Sequence, residues 1–366
     1  MKVGILTFCN TTSYGAALQM YALYRSVEKF GHDAELLHYQ NRWMKEERHT
    51  VAMQNKPYAV MRLKKTVSAF RHRHLWRAFR GFEASMACMP ERVTSDKNAL
   101  RALSDRYDAV ICGSDQVWNP DITGADLSYF LDFCGARTKR ISYAPSFGVE
   151  TLPKNFAEAA AKELARFSSL SVREEAGQAL IRDMIGKDAE LVLDPTLLLT
   201  AEEWEALETA HPMAQGEYIL YYPVRSAGCL WSYCEAFAER KGLKILRIGR
   251  SVKSKDTDRV KHLFDVSPQE LLFLLHHAKY VVTNSFHGTA FAINYRKNFF
   301  VELSSATNSR LSQIVRTFGL EEQVVREAEA VLRDTTDYKK TEELLPALRE
   351  HSLHYLREAL TESSDL

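Results

Sequence analysis

Lys279-Tyr-Val-Val-Thr-Asn-Ser-Phe-His-Gly-Thr-Ala-Phe-Ala-Ile-Asn-Tyr295 is the stretch on which the fold turns. Tyr280, Val281 and Val282 form the apolar, β-branched run that a doubly covered parallel strand needs, and Thr289 to Tyr295 reads as a buried helix turning back from it. His287 sits at the joint. A side chain at the carboxyl end of such a strand meets the crevice where open α/β sheets bind ligands, beside the backbone N–H groups that open the next helix and attract anions. The joint offers a titratable imidazole, the Ser285 hydroxyl and a Gly288 at which backbone can approach a ligand closely. The bland alternative, that His287 caps the helix or packs beneath it, stays open on the junction alone.

The flanking sequence has the same rhythm. Tyr218 to Pro223 reads as a strand, Cys229 to Arg240 as a helix and Leu243 to Ile248 as a strand, while Ser267-Pro-Gln-Glu270 caps a helix that runs to His277. His276 and His277 fall at that helix's end, where positive charge is favoured, and read as structural. Phe299 to Val301 is a further strand, Asn308-Ser-Arg310 opens a helix, and Glu342 to Leu360 is an amphipathic C-terminal helix. Thr200-Ala-Glu-Glu carries a capping-box pattern, and the polar link from Ala210 to Gly216 reads as a hinge.

The N-terminal half begins as a β-α-β unit: a strand from Val3 to Phe8, a polar loop from Cys9 to Gly15, a helix from Ala16 to Val27, and a strand from Ala34 to Tyr39. Its loop has only Gly15 and is not a dinucleotide fingerprint. Ala109 to Cys112 is a buried strand that delivers Ser114, Asp115 and Gln116, followed by Trp118, which either floors a sugar or anchors the loop. Arg140 to Ala144 leads to Ser146, and Leu170 to Val172 leads to Arg173. Four strand ends thus bring Asn10, Asp115, Ser146 and Arg173 to one edge of one sheet, although Arg173 taken singly reads as an ordinary salt-bridge former.

With 366 residues the chain is too long for one ordinary core. The expected division is an N-terminal Rossmann-like domain over 1–199, with a basic helical insert at about 42–90, and a C-terminal one over 200–366 with its final helix. In the insert, Val67, Phe70, Leu75, Phe79, Phe82 and Met86 recur at helical spacing, with Arg71, Arg73, Arg77 and Arg80 between them. The insert is either a solvated basic face over a packed one or a docking surface for anionic lipid or a phosphate-bearing carrier. A formal charge of +1 argues against nucleic acid as the main partner. No signal peptide and no run of membrane-spanning length is visible, and the six cysteines show no Cys-x-x-Cys or zinc spacing, so a reducing cytoplasm is the simplest setting.

Five stretches together carry a resemblance: Asn10-x-x-x-Tyr14-Gly15-Ala-Ala-Leu-Gln19, Gly113-Ser-Asp-Gln-Val-Trp118, Ser171-Val-Arg-Glu174, Asp194-Pro-Thr196 and Thr283-Asn-Ser-Phe-His-Gly288. In this order the chain resembles the polysaccharide pyruvyl transferase family. The resemblance implies an α/β fold of two Rossmann-like domains facing across a cleft, like the GT-B glycosyltransferases. It also implies transfer of a pyruvyl group from phosphoenolpyruvate to two sugar hydroxyls, with a ketal formed and phosphate released. His287 becomes the candidate acid that protonates the enol carbon, Arg173 the candidate bidentate grip on the donor's carboxylate or phosphate, and Asp115 the candidate acceptor of the attacking hydroxyl's proton. Asn10, Tyr14, Gly15, Gln116, Trp118, Ser146, Ser285, Gly288 and Arg310 are the candidate substrate contacts.

Some relatives have Arg-Leu-His-Gly where this chain has Ser285-Phe-His287-Gly288, and Arg310 is the preferred replacement over Arg225. No cofactor or metal is required by the scheme. The expected partners are phosphoenolpyruvate and a sugar acceptor, lipid-linked or polymeric; the expected setting is the cytoplasm, with peripheral contact at the inner face of the plasma membrane as the option that a lipid-docking insert would add. A nucleotide-sugar GT-B glycosyltransferase and a non-catalytic sugar-binding assembly protein are the competing readings.

Overall fold

Buried apolar runs pair in parallel in both halves of the chain. The computed structural model describes residues 1–41, 43–44, 73–86, 94–224, 228–249, 255–303 and 309–361. The chain forms two units, one of Met1–Leu198 together with the stretch from Arg349 on, the other Leu199–Leu348.

In the first unit, β1 (Lys2–Leu6), β2 (Asp33–Leu36), β3 (Ala109–Cys112) and β4 (Lys139–Ser142) form a parallel sheet in the order β2-β1-β3-β4. A bridge from Ile141 to Ser169 brings in the pair β5 (Ser171–Val172) and β6 (Glu190–Leu191). The chain passes from β1 to β2 on one side and returns to β3 on the other. The carboxyl ends of β1 and β3 therefore flank the switch point, where such sheets open a crevice. Helix α1 (Tyr14–Lys29) starts there under a Ser13 cap. Helix α2 (Arg73–Ser85) buries Leu75, Phe79, Phe82 and Glu83; Phe79 packs on Tyr14 at 5.0 Å between ring centres, and Phe82 on Tyr21 at 5.6 Å. Arg73, Arg77 and Arg80 are exposed. Arg71, and the rest of the insert between 45 and 72, lie outside the described residues.

In the second unit, β7 (Tyr218–Tyr222), β8 (Lys244–Ile248), β9 (Val260–Leu263), β10 (Tyr280–Thr283), β11 (Asn298–Glu302) and β12 (Val324–Val325) take the parallel order β12-β11-β10-β7-β8-β9. Its switch point lies between β7 and β10. After α3 (Lys97–Ser104), α4 (Pro120–Thr123), α5 (Lys154–Leu164) and α6 (Glu175–Ile185) of the first unit, the second holds α7 (Ala201–Glu205), α8 (Leu230–Lys241), α9 (Pro268–His277), α10 (Phe286–Asn294) and α11 (Ser309–Phe318). Capping boxes start two of these: Thr200 with Glu203 at α7, and Ser267 with Glu270 at α9.

The last helix, α12 (Lys339–Leu360), contains Pro346. The stretch from Arg349, which the sequence assigns to the second domain, packs instead in the first unit: Leu193 N–H donates to Ser352 Oγ at 2.9 Å, Arg349 Nε to the Leu197 carbonyl at 2.7 Å and Tyr355 Oη to the Ser142 carbonyl at 2.9 Å. Among the described residues no helix is long and apolar enough to cross a membrane. The described cysteines are unpaired.

Candidate active site

Three strand ends of the first unit turn through left-handed backbone without glycine: Asn10 after β1 (φ 50°), Asp115 after β3 (φ 78°) and Ala144 after β4 (φ 54°). Each such residue costs about 1–3 kcal/mol, which the surroundings must offset. The surroundings are a stitched polar layer. Buried Gln19 donates to Thr7 Oγ1 at 2.9 Å, Thr7 donates to the Ser114 carbonyl at 2.8 Å, and Ser146 N–H donates to the Asp115 carbonyl at 2.9 Å. Ser114 Oγ lies 2.9 Å from the Ala144 carbonyl and 3.0 Å from Asp194 Oδ2.

Arg173 is the centre of that layer. Its side chain is 1% exposed, with Nη1 2.7 Å from Asp194 Oδ2, Nη2 3.4 Å from Asp115 Oδ1 and Nε 3.6 Å from Glu174 Oε2. Burial alone would release its proton more easily, but Asp194, Asp115 and Glu174 outweigh burial and hold the guanidinium charged. The expectation of a rim arginine that grips a ligand is therefore corrected: the fork is buried among carboxylates of its own unit. Asp194 in turn receives Thr196 N–H and Thr196 Oγ1 on Oδ1, at 3.0 and 2.8 Å. The Ser-Val-Arg-Glu, Gly-Ser-Asp and Asp-Pro-Thr stretches thus converge on one buried network that ends at Asp115, whose side chain is 15% exposed.

Other candidates divide by burial. Trp118 is 0% exposed, donates Nε1–H to the Tyr129 carbonyl at 2.9 Å and stacks on Phe130 at 5.0 Å, so it anchors the core and presents no face to a sugar. Ser146 is also 0% exposed, and Gly15 is buried in the first turn of α1, so neither is a surface contact. Gln116 is half-buried and accepts from Asn119 Nδ2 at 2.9 Å. Its Oε1 would stand 2.1 Å from a Cβ at Gly148, which already has φ 64°. Asn10, on the loop after β1, and Tyr14, the first residue of α1, stay partly open.

In the second unit, β10 ends in a tight joint. Thr283 Oγ1 donates to the Tyr222 carbonyl at 2.6 Å and accepts Ser285 N–H at 3.0 Å, while buried Ser285 caps α10 by accepting Gly288 N–H at 3.2 Å. A Cβ on Gly288 would stand 2.6 Å from Thr283 Oγ1 and 2.9 Å from Tyr222 Cδ1. The glycine lets the helix approach its own strands, which corrects the expectation that it opens backbone to a ligand. His287 follows the cap in the first turn, half-buried, its ring edge-on to Phe286 at 5.3 Å. Arg310 is half-buried in the first turn of α11, a helix that packs against α10. Arg225 lies outside the described residues.

A profile of the polysaccharide pyruvyl transferase family matches residues 14–302, which include Asp115, Arg173 and His287. The chain belongs to that family. The pyruvyl transferase match begins at Tyr14 and ends at Glu302, so Asn10 and Arg310 stand just outside it. None of the curated proteins compared with the chain matches it. Among solved structures, the UDP-GlcNAc 2-epimerase of Neisseria meningitidis bound to UDP-GlcNAc has a TM-score of 0.55 at 11% identity, covering 99% of this chain and 95% of that one. The Methanocaldococcus jannaschii UDP-GlcNAc 2-epimerase has a TM-score of 0.52 at 14% identity, covering 96% of this chain and 100% of that one. These likenesses are of fold: an α/β, GT-B-like architecture of two Rossmann-like units.

Three carboxylates of this family member escaped the sequence. Glu302, at the end of β11, accepts the N–H groups of Gly228, Cys229 and Leu230 at 3.0, 2.7 and 3.2 Å, and so caps α8 across more than 70 residues. Glu83 accepts Asn10 N–H at 3.0 Å. Glu208 lies 2.9 Å from His276 Nδ1 and 3.7 Å from His277 Nδ1, one cluster with metal-ligand chemistry where the sequence suggests none; it adjoins the start of β10, the edge opposite Ser285. His276 also stacks on Tyr295 at 4.6 Å, a packing role that agrees with the structural reading of this histidine.

Proposed function

We propose that the chain moves the pyruvyl group of phosphoenolpyruvate onto two hydroxyls of a sugar, in a cell-surface polysaccharide or its lipid-linked precursor. The single observation that carries this is His287, half-buried in the first turn of α10 at the switch point of the second unit, inside the span of the family match. The imidazolium gives a proton to the methylene carbon of the donor, and the neighbouring carbon becomes electron-poor. One sugar hydroxyl adds there, phosphate leaves, and the second hydroxyl closes the ketal. Of the two hydroxyl protons lost, one balances the new methyl group and one leaves with phosphate. General acid catalysis of this kind is worth roughly 10²–10⁴-fold.

The helix N-terminus and Arg310 favour the donor's negative charge. Asp115 takes a proton from an attacking hydroxyl, and Arg173 acts through Asp115 as a positioning residue. The exposed Arg73, Arg77 and Arg80 of α2 provide the contact with an anionic membrane that carries the acceptor. Glu302 supports the small donor over a nucleotide sugar. The helix start that follows β7 is where a Rossmann-type unit receives a nucleotide's phosphates, and here its amides already serve a carboxylate of the chain.

The test is phosphate release from phosphoenolpyruvate across a panel of sugar acceptors, with products read by mass. A gain consistent with a ketal supports the proposal; nucleotide release from a nucleotide sugar, with phosphoenolpyruvate inert, contradicts it.

A further inference from the structure

Glu208, His276 and His277 converge inside the second unit, at the amino end of β10, whereas His287 lies beyond its carboxyl end. Successive residues of a helix point about 100° apart. The two imidazole ring centres at the end of α9 nevertheless lie 4.8 Å apart, because an aromatic neighbour holds each ring. His276 stacks on buried Tyr295 at 4.6 Å with 6° between the planes, and His277 on Phe273 at 4.0 Å with 20°. Glu208, whose side chain is 6% exposed, turns one oxygen to each: Oε1 lies 2.9 Å from His276 Nδ1 and Oε2 3.7 Å from His277 Nδ1. His277 Nδ1 also lies 3.0 Å from the Phe273 carbonyl, a contact of the kind that fixes the tautomer of a ligating imidazole and leaves its other nitrogen to the ion.

One ligand atom from each of the three side chains lies within 4.8 Å of the other two. An ion bound at about 2.0–2.2 Å draws such atoms to roughly 3–4 Å from one another, a change that small side-chain rotations supply. Two imidazoles and a carboxylate suit Zn²⁺ and its borderline neighbours over Mg²⁺ or Ca²⁺, which prefer oxygen donors throughout. The carbonyls that end α9 add negative partial charge. Lys297 opposes a second cation, since Glu208 already favours its ammonium charge, while Glu205 beside Tyr295 adds negative charge.

We propose that Glu208, His276 and His277 bind one divalent transition-metal ion of the Zn²⁺ class, with water as the fourth ligand on the exposed side of His277. The ion has a structural role: it clips the segment after α7 to the end of α9. That segment already touches the start of the same helix, where Thr209 N–H donates to the Gln269 carbonyl at 3.2 Å, so the ion adds a second tie at the helix's far end. A site formed only by the folded chain turns binding energy into stability.

The full chain, stripped with EDTA and dialysed, is titrated with Zn²⁺ by calorimetry and with Co²⁺ by its visible ligand-field bands. Wild type is expected to take up one equivalent of either ion and to melt at a higher temperature with Zn²⁺, while Mg²⁺ and Ca²⁺ at the same concentration leave the melt where it was. Glu208→Gln, which keeps the side chain's shape, and His277→Ala, on an exposed side chain, are each expected to weaken Zn²⁺ binding at least about 100-fold and to cancel the shift in melting. His351→Ala, at an exposed histidine of the first unit, is expected to behave as wild type. Undiminished Zn²⁺ binding in either site variant overturns the assignment, and so does a wild type that takes up no equivalent of Zn²⁺ or responds equally to Ca²⁺. None of these readouts uses phosphoenolpyruvate, so the metal site and the transferase reading fail separately.

Discussion

Arg173 holds its place because three carboxylates surround a guanidinium that water does not reach. Removing the cation strands Asp194 and Glu174 in the interior, and breaking a buried pair in this way costs about 3–5 kcal/mol. Arg173→Met is therefore expected to lower unfolding stability by at least about 3 kcal/mol in denaturant titration; a loss below about 1 kcal/mol would show that the network is not holding the strand ends. Glu83 predicts the opposite sign with pH. Its folded value, raised to about 7 from an ordinary 4.5, means that the native chain holds the proton longer than the unfolded chain does. The contribution is intact below about 4.5 and is lost as pH rises through about 7. E83Q should thus gain stability over wild type, on the order of 3 kcal/mol, between pH 4.5 and pH 8. A pH-independent difference would place the carboxyl elsewhere.

At the scale of elements, the joint between β10 and α10 is set by a glycine with no room for a methyl group. Gly288→Ala should cost about 1–3 kcal/mol despite alanine's better helix propensity, because Thr283 and Tyr222 must move; unchanged stability in thermal melts would mean that the contact is slack. For α2, replacing Arg73, Arg77 and Arg80 with glutamine should reduce sedimentation with anionic vesicles at low salt. Equal binding would leave these arginines a solvated face. Elements were the most legible level of the sequence. The β-branched runs at Ala109 and Tyr280 and the boxes opening at Thr200 and Ser267 signal strands and helix starts within a few residues. The edge strands β9 and β12 did not stand out: one carries Lys261 and His262 amid its apolar residues, and the other spans only two residues. Burial at strand ends was not legible either. Trp118 and Arg173 read as rim residues because nothing local signals that Phe130 covers the first or that Asp194 pairs with the second.

For the whole molecule, five motifs in order point to the family, and the two switch points explain why functional candidates fall at strand ends. The return of the C-terminal stretch to the first unit was hidden, since the bond between Leu193 and Ser352 joins positions 159 apart. The same distance problem concealed Glu83 and Glu302, whose partners lie 73 and 72 to 74 residues away. The reaction itself is tested most directly by one comparison: wild type and His287→Ala, each shown to be folded, incubated with phosphoenolpyruvate and an acceptor that the wild type converts. Phosphate and ketal product should fall together by roughly 10²–10⁴-fold in the variant; near-normal turnover by His287→Ala would contradict the account.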